Sequence, residues 1–337
     1  MIGKLSGYRI LPGLINAHDH LEFALFPRLG KGAYANSTEW AKDIYRPSEP
    51  PVSDHLRVPM NLRLVWGGLR NLIAGVTTVC HHNPYHAVFD NGFPIRVVKR
   101  FGWAHSFEFS PDIERRWKET PRDAPFILHL GEGIDRHSAE EIFRLERMGA
   151  LTPRTAIVHA VALDQDGWRV LRQRGAGAVW CPRSNLFTLG RTISREIVTS
   201  GLPIALATDS PITSDGDMLD ELAFASSLLG RPLDDLLPLV TGVPAGILRL
   251  TPHPDDWIAV PEFGQSPELV MIGGRVQLVG QSLLGHLPAS VSRSMHPLCI
   301  EGRRPVYVCT DTQRLLKLTR DALGTQDIRL GGRLVET

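Results

Sequence analysis

Along the chain, short apolar runs alternate with longer stretches of helical spacing, the pattern of βα units around a parallel sheet. Eight runs read as strands: Leu14–Ala17, Val76–Cys80, Ile95–Val98, Trp103–Phe107, Phe126–Leu128, Thr155–Val158, Ala178–Cys181 and Ile204–Ala207. Asn61–Ala74, Ser138–Met148, Asp166–Arg174 and Ile193–Ser200 read as helices, with Gly75, Gly149, Gly175 and Gly201 as their C-terminal stops. Too few residues separate the third and fourth strands to hold a helix. The pattern therefore predicts an α/β fold, a TIM-like (β/α)8 barrel that is irregular around strands 3–4. Leu219–Leu229 and Asp234–Val240 continue as helices. The pattern changes after Thr251-Pro252-His253-Pro254: Leu269–Ile272 and Arg275–Val279 flank Gly273-Gly274 as a hairpin, Thr312–Leu323 reads as a helix, and Asp327–Val335 is strand-like. The expected division is a barrel over 1–255 and a small β-rich appendage over 256–337.

Composition narrows the function class. The 337 residues carry a formal net charge of +1, which argues against a broad footprint for nucleic acid or an anionic membrane surface. No run approaches the length of a membrane-spanning helix, and the opening MIGKLSGYRILPG lacks the apolar stretch of a leader. Cys80, Cys181, Cys299 and Cys309 are widely spaced and form no C-x-x-C pair, the usage expected of a reduced, cytoplasmic protein. A small-molecule substrate is the expected partner.

The 13 histidines change the picture, because several close apolar runs. His18 and His20 follow Leu14–Ala17 two residues apart, so they share one side of a strand. Alone, an H-x-H pair is weak; two ordinary histidines at a strand end explain it as well. The remaining positions add weight. His129 closes Phe126–Leu128 and is followed three residues later by Glu132; His159 closes Thr155–Val158; Asp209 follows Ile204–Thr208. In a parallel barrel the C-terminal strand ends converge on one face, where active sites are built. Three imidazoles and a carboxylate suit Zn²⁺ with room left for water.

In these motifs the sequence resembles the amidohydrolase superfamily. The first-strand P-G-x-I-N-x-H-x-H pattern spans Pro12 to His20, and the second-strand G-V-T-T-V spans Gly75 to Val79. H-x-x-E is His129 to Glu132, the sixth-strand histidine is His159, C-P-x-S-N is Cys181 to Asn185, and T-D-S is Thr208 to Ser210. The matches run in family order over roughly residues 8–250. The resemblance implies the mononuclear branch of cytosine deaminases and chlorohydrolases. It implies one divalent metal, Zn²⁺ first and Fe²⁺ as the alternative, on His18, His20, His129 and Asp209. Glu132 and His159 are implied as proton shuttle and water-orienting group, with Asp209 able to take a proton as well. The family places several strands before H-x-H where this chain has about ten residues, implying an incomplete small domain built from the C-terminal strands alone. Strand edges left unpaired there suit a homo-oligomer.

Other residues near the expected mouth are weaker. His81, His82, His105 and Asn185 are candidate substrate contacts, against ordinary loop or structural roles. Asn185 can equally support the metal site from behind. Lys99 lies upstream of its strand, at the wrong end to bridge two metals, and reads as a surface lysine. The expected reaction is hydrolysis of a C–N bond through water activated by the metal, with deamination of an aminated heterocycle first. Cyclic or linear amide hydrolysis and dehalogenation are the alternatives within enzymes, and a non-catalytic metal-binding scaffold is the alternative outside them. The long segment after the first strand, Glu22 to Asn61, carries Phe23, Phe26, Tyr34, Trp40 and Tyr45, which suit an apolar lid or, equally, the anchoring of a long loop.

Overall fold

The structure, a computed structural model, describes residues 5–336; the first four residues of the opening segment lie outside it. All eight expected parallel strands form. With β1 at Arg9–Pro12, they are β2 Leu14–Asp19, β3 Val76–His81, β4 Arg96–Val97, β5 Gly102–Ala104, β6 Phe126–Leu130, β7 Thr155–His159, β8 Gly177–Trp180 and β9 Ile204–Leu206. They fall into two parallel arcs, β2-β3-β4 and β5-β6-β7-β8-β9. The break lies between β4 and β5, at the place where the sequence has no room for a crossover helix. Side chains from both arcs meet in one interior cluster, including Ile15, Val98, Ile127, Val158, Val179 and Ala205. A larger apolar layer lies between strands and helices, around Leu14, Trp66, Phe126, Leu128, Ile157 and Trp180.

The C-terminal strands are β10 Trp257–Val260, β11 Leu269–Ile272, β12 Arg275–Gly280, β13 His296–Ile300, β14 Val306–Val308, β15 Arg329–Leu330 and β16 Arg333–Glu336. They form one sheet in the order β1-β10-β11-β12-β14-β13-β16-β15. The expectation that this part is built from C-terminal strands alone is corrected here. Arg9–Pro12, too short and too polar to stand out as an apolar run, pairs antiparallel with Trp257–Val260. The turn of the β15–β16 hairpin also reaches the segments that follow β2 and β9. Gly331 N–H donates to Ala24 O at 3.0 Å and its carbonyl accepts from Gly216 N–H at 2.7 Å. A Cβ at Gly331, where φ is +56°, would lie 2.5 Å from Gly216 O, so the position requires glycine.

Where the arcs meet on the other side, β2 joins the chain that follows β9. Asp209 N–H donates to His18 O at 3.2 Å and His20 N–H donates to Asp209 O at 3.4 Å. Under this join lies Asp19, fully buried. Its carboxylate accepts from Asn71 Nδ2 at 2.7 Å, Asn16 Nδ2 at 3.2 Å, Arg70 Nη1 at 3.3 Å and Thr208 Oγ1 at 3.3 Å. Arg70 spends its Nε–H on Gly216 O at 2.8 Å. A buried charge is tolerable only when paired and hydrogen-bonded, and here every nearby donor is turned toward it.

The helix Met60–Leu72 supplies Arg70 and Asn71, and presses Gly67 against the 3-10 turn Leu21–Phe23 that follows His20. A Cβ on Gly67 would lie 2.3 Å from Leu21 O and 2.7 Å from Leu21 Cα. Backbone cannot yield there as a side-chain tip can. Gly67→Ala gains about 1 kcal/mol of helix propensity but loses about 1–3 kcal/mol to overpacking, so net destabilisation in urea is expected; a variant more stable than wild type would contradict the close approach. Asp19→Asn leaves the Arg70 guanidinium buried without its counter-charge. The expected cost is about 3–5 kcal/mol in chemical denaturation, against nearly none if Asp19 were an ordinary strand residue.

Candidate active site

Strict alternation along β2 would send Ile15 and Ala17 into the interior and His18 and His20 away from it. The register against β3 shifts between Asn16 and Asp19. This irregularity turns both histidines into the mouth and Asp19 into the knot beneath, the re-aiming that bulges bring about beside functional sites. On β6, Ile127 is interior and His129 follows two residues on, so alternation alone suffices. On β7 it does not: Val158 is interior, and His159 reaches the mouth because its backbone is left-handed, φ +74°. Asp209 is likewise left-handed, φ +56°. For non-glycine residues such conformations cost of the order of 1–3 kcal/mol and cluster at functional sites.

These turns bring the four expected ligands together. His18 Nε2 lies 3.1 Å from His129 Nε2 and 3.5 Å from Asp209 Oδ1; His20 Nε2 lies 3.7 Å from the same oxygen. Four atoms about 2.0–2.1 Å from a tetrahedral Zn²⁺ stand about 3.3 Å apart, close to these three separations; donor atoms of His18, His20 and Asp209 lie within 4.8 Å of one another, and His18 joins His129 and His159 in a second such group. Asp209 is prepared for one-oxygen ligation. Its Oδ2 accepts from Ser184 Oγ at 2.6 Å and Thr213 Oγ1 at 3.1 Å, which leaves Oδ1 facing the imidazoles. Burial lowers the pKa of His18, and lowers those of His20 and His129 much further with help from neighbouring imidazoles, so all three rings are held in the neutral, ligating form. Burial works to raise the Asp209 carboxyl, but the hydrogen bond from His18 and the neighbouring His159 and His20 rings outweigh it and hold the carboxyl well below its ordinary range.

Glu132 and His159 sit beside this set, His159 Nε2 3.5 Å from Glu132 Oε1. Burial raises the Glu132 carboxyl above its ordinary range, opposed by His159. His159 Nδ1 donates to Asn185 Oδ1 at 2.8 Å, and Asn185 Nδ2 donates in turn to Thr192 Oγ1 at 3.2 Å. That chain leaves His159 Nε2 facing Glu132. Glu132 is held from the lid side as well, since its carbonyl accepts from Ser37 N–H at 3.0 Å.

The other expected contacts divide. His105 lines the cavity at these strand ends, a 580 Å³ space that is also lined by His20, His129, Glu132, His159 and Asp209. His81, His82 and Asn185 do not line it, which corrects their assignment as substrate contacts. Their side chains are buried: His82 bonds Ala104 O through Nε2 at 2.9 Å, His81 Nδ1 accepts from Leu21 N–H at 3.4 Å, and Asn185 holds His159. His82 packs its ring 4.5 Å from that of His129 and 4.8 Å from that of His18, backing the ligands. Lys99 is an exposed lysine paired with Asp90 at 3.0 Å. Asp19, Glu22 and Asn83 were not singled out from the sequence. A carboxylate between two inward histidines on one strand was the available signal for Asp19, whereas nothing in the sequence distinguishes Glu22 or Asn83 from other lid and loop residues. Glu22 is buried on the cavity wall, and Asn83 donates to both its Oε1 and, at 3.2 Å, His20 Nδ1.

No family model matches the chain. Among curated proteins it is 24% identical over 279 residues to the 5-methylthioadenosine/S-adenosylhomocysteine deaminase of Syntrophobacter fumaroxidans, covering 66% of this chain and 62% of that one. The Nitratidesulfovibrio vulgaris protein of the same name is 25% identical over 266 residues, covering 65% of this chain and 60% of that one. The chain thus spans less than two thirds of the length of these relatives. Among solved structures, a zinc-bound adenosine deaminase from Xanthomonas campestris superposes with a TM-score of 0.68 at 17% identity, over 94% of this chain and 85% of that one. Atrazine chlorohydrolase from Arthrobacter aurescens, complexed with zinc, gives 0.66 at 15% identity, over 94% and 88%. With its motifs in family order and its strand ends meeting as described, the chain is similar in sequence to these deaminases and shares the fold of these zinc-bound hydrolases.

Proposed function

We propose that this chain is a mononuclear metal-dependent hydrolase that cleaves a C–N bond of a small molecule, with deamination of an aminated heterocycle as its reaction. The single observation that carries the reading is the convergence of His20, His129, Asp209, Glu132 and His159 on one cavity, with buried His18 shared by the close groups His18–His20–Asp209 and His18–His129–His159. The deaminase names of the sequence relatives favour an aminated ring over other substrates. In this reading the two arcs form one (β/α)8 barrel within residues 1–255, interrupted between β4 and β5, and residues 256–337 form an appendage that borrows β1.

His18, His20, His129 and Asp209 would hold the ion, zinc in preference to iron given their nitrogen-rich set. Such an ion lowers the pKa of bound water from about 15.7 to about 7. The rest of the work falls to this chain's own groups. Glu132, its carboxyl raised by burial, is suited to take a proton from the attacking water and return it to a ring nitrogen or the leaving amine. His159, fixed through Nδ1 by Asn185, presents Nε2 to the same space, as an acceptor when neutral and a donor once protonated. Ser184 and Thr213 keep Asp209 from rotating away.

The reading is tested by ammonia release from aminated heterocycles by the zinc-loaded protein. Glu132→Gln should retain zinc yet lose about 10²–10⁴-fold in kcat; near-normal turnover would remove Glu132 from the mechanism. Chloride or carboxylic acid release without ammonia would favour the other hydrolytic reactions, and zinc binding without any turnover would favour a scaffold. A second outcome concerns folding. A carboxyl raised in the native state binds protons that the unfolded chain releases, so its unfavourable contribution grows as pH rises past the ordinary value of 4.5. The stability of metal-free Glu132→Gln should therefore exceed that of wild type by a margin that widens from pH 4.5 upward, measured by urea denaturation across pH; a margin that shrinks with pH would contradict the buried carboxyl.

A further inference from the structure

Away from the ligand set the 580 Å³ cavity changes character. Its outer wall comes from the lid: Phe23, Phe26, Trp40, Ile44, Val52 and Leu56. Among the described residues no lysine or arginine lines it, although the chain has 37 of them. Its carboxyl groups are Glu22, Glu132 and Asp209. Three large hydrophobic residues at its rim are exposed, Tyr45 at 74%, Phe109 at 50% and Leu56 at 43%. Exposed apolar side chains gathered around one opening, rather than scattered, mark a surface that a ligand covers.

The inner end is different. Glu22 Oε2 is buried without a hydrogen-bond partner, while Oε1 is occupied by Asn83. A buried carboxyl oxygen left unpaired is costly unless something supplies a partner. Glu22 Oε2 lies 3.8 Å from His81 Nδ1, behind the cavity wall, so the polar groups offered to a heterocycle at this end are Glu132, His159 and His105. The cavity thus has a polar end shaped for the edge of a heterocycle and an apolar end with no polar demand. The volume lies within the range that encloses a drug-sized molecule, well beyond a bare ring.

A carboxylate or phosphate at the lid end would lose its water and meet no cation there. Desolvating an unpaired anion costs several kcal/mol. An alkyl, aryl or thioether group would instead bury apolar area against the lid at about 25 cal/mol per Å². From this we infer that the substrates are uncharged aminated heterocycles carrying a sizeable apolar substituent, which the lid segment from Phe23 to Leu56 takes up, and that analogues with an anionic tail are rejected. The inference rests on the hydrolytic reading for the reaction, but not for the binding.

The test uses two matched pairs, a 6-aminopurine and an aminopyrimidine, each with a butyl or a carboxypropyl substituent. Binding to zinc-loaded Glu132→Gln is measured by calorimetry, and ammonia release by the zinc-loaded wild type. The butyl members are expected to bind at least about 100-fold more tightly than their carboxypropyl partners. Ile44→Arg, which places a cation on the lid wall, should narrow that gap at least about tenfold. Equal or tighter binding of the anionic members, or no binding of either butyl member, overturns the substrate class. Preference for butyl in binding without ammonia release by wild type leaves the class standing and overturns the hydrolytic reading. Equal ammonia release from both members of a pair does the reverse.

Discussion

The arrangement depends on one buried carboxylate. Asp19 lies between His18 and His20 at the end of the first parallel strand, and its bonds to Asn16, Arg70, Asn71 and Thr208 draw that strand to the segment after the last one. The join brings positions nearly two hundred residues apart in sequence to within 3.5–3.7 Å, His18 and His20 on one side and Asp209 on the other. Hydrophobic packing could hold the two strands near each other, but it is non-directional. A fully satisfied polar knot is directional, and it sets the register to which the ligand geometry is sensitive. Arg70 extends the constraint outward, because its second bond reaches Gly216, which in turn meets the C-terminal hairpin at Gly331.

The site is built from departures from regular structure. His129 follows the alternation of its strand, whereas His18 and His20 need a register shift, His159 needs a left-handed backbone, and Asp209 adopts one as well. Each departure is held by neighbours on the far side of the strand: Asp19 beneath the first pair, Asn185 behind His159, and Ser184 and Thr213 on Asp209. Strain and support therefore occur together at the same strand ends, as expected where the surrounding structure over-determines a functional conformation.

Much of this was legible in the sequence. The eight parallel strands follow from short apolar runs, and the positions closing them locate the proposed ligands, since the C-terminal ends of these strands converge. The irregularity between β4 and β5 was visible as missing length. Three things were hidden, each for a physical reason. Arg9–Pro12 is a mostly exposed strand whose only partner lies more than two hundred residues away, so no local pattern marks it. His81 and His82 follow an expected strand, but whether such residues face the cavity or the layer behind it depends on bulges that periodicity cannot reveal. The polarity of the cavity also depends on which side of each lid turn faces inward, a tertiary matter that composition does not reach.

The central claim is that His18, His20, His129 and Asp209 surround a single ion. Anomalous diffraction at the zinc edge from crystals of the zinc-loaded protein tests it most directly. The account predicts one peak per chain, about 2.0–2.2 Å from the three imidazole nitrogens and one Asp209 oxygen. A peak elsewhere, two peaks sharing the site, or an Asp209 carboxylate outside coordination range would contradict it.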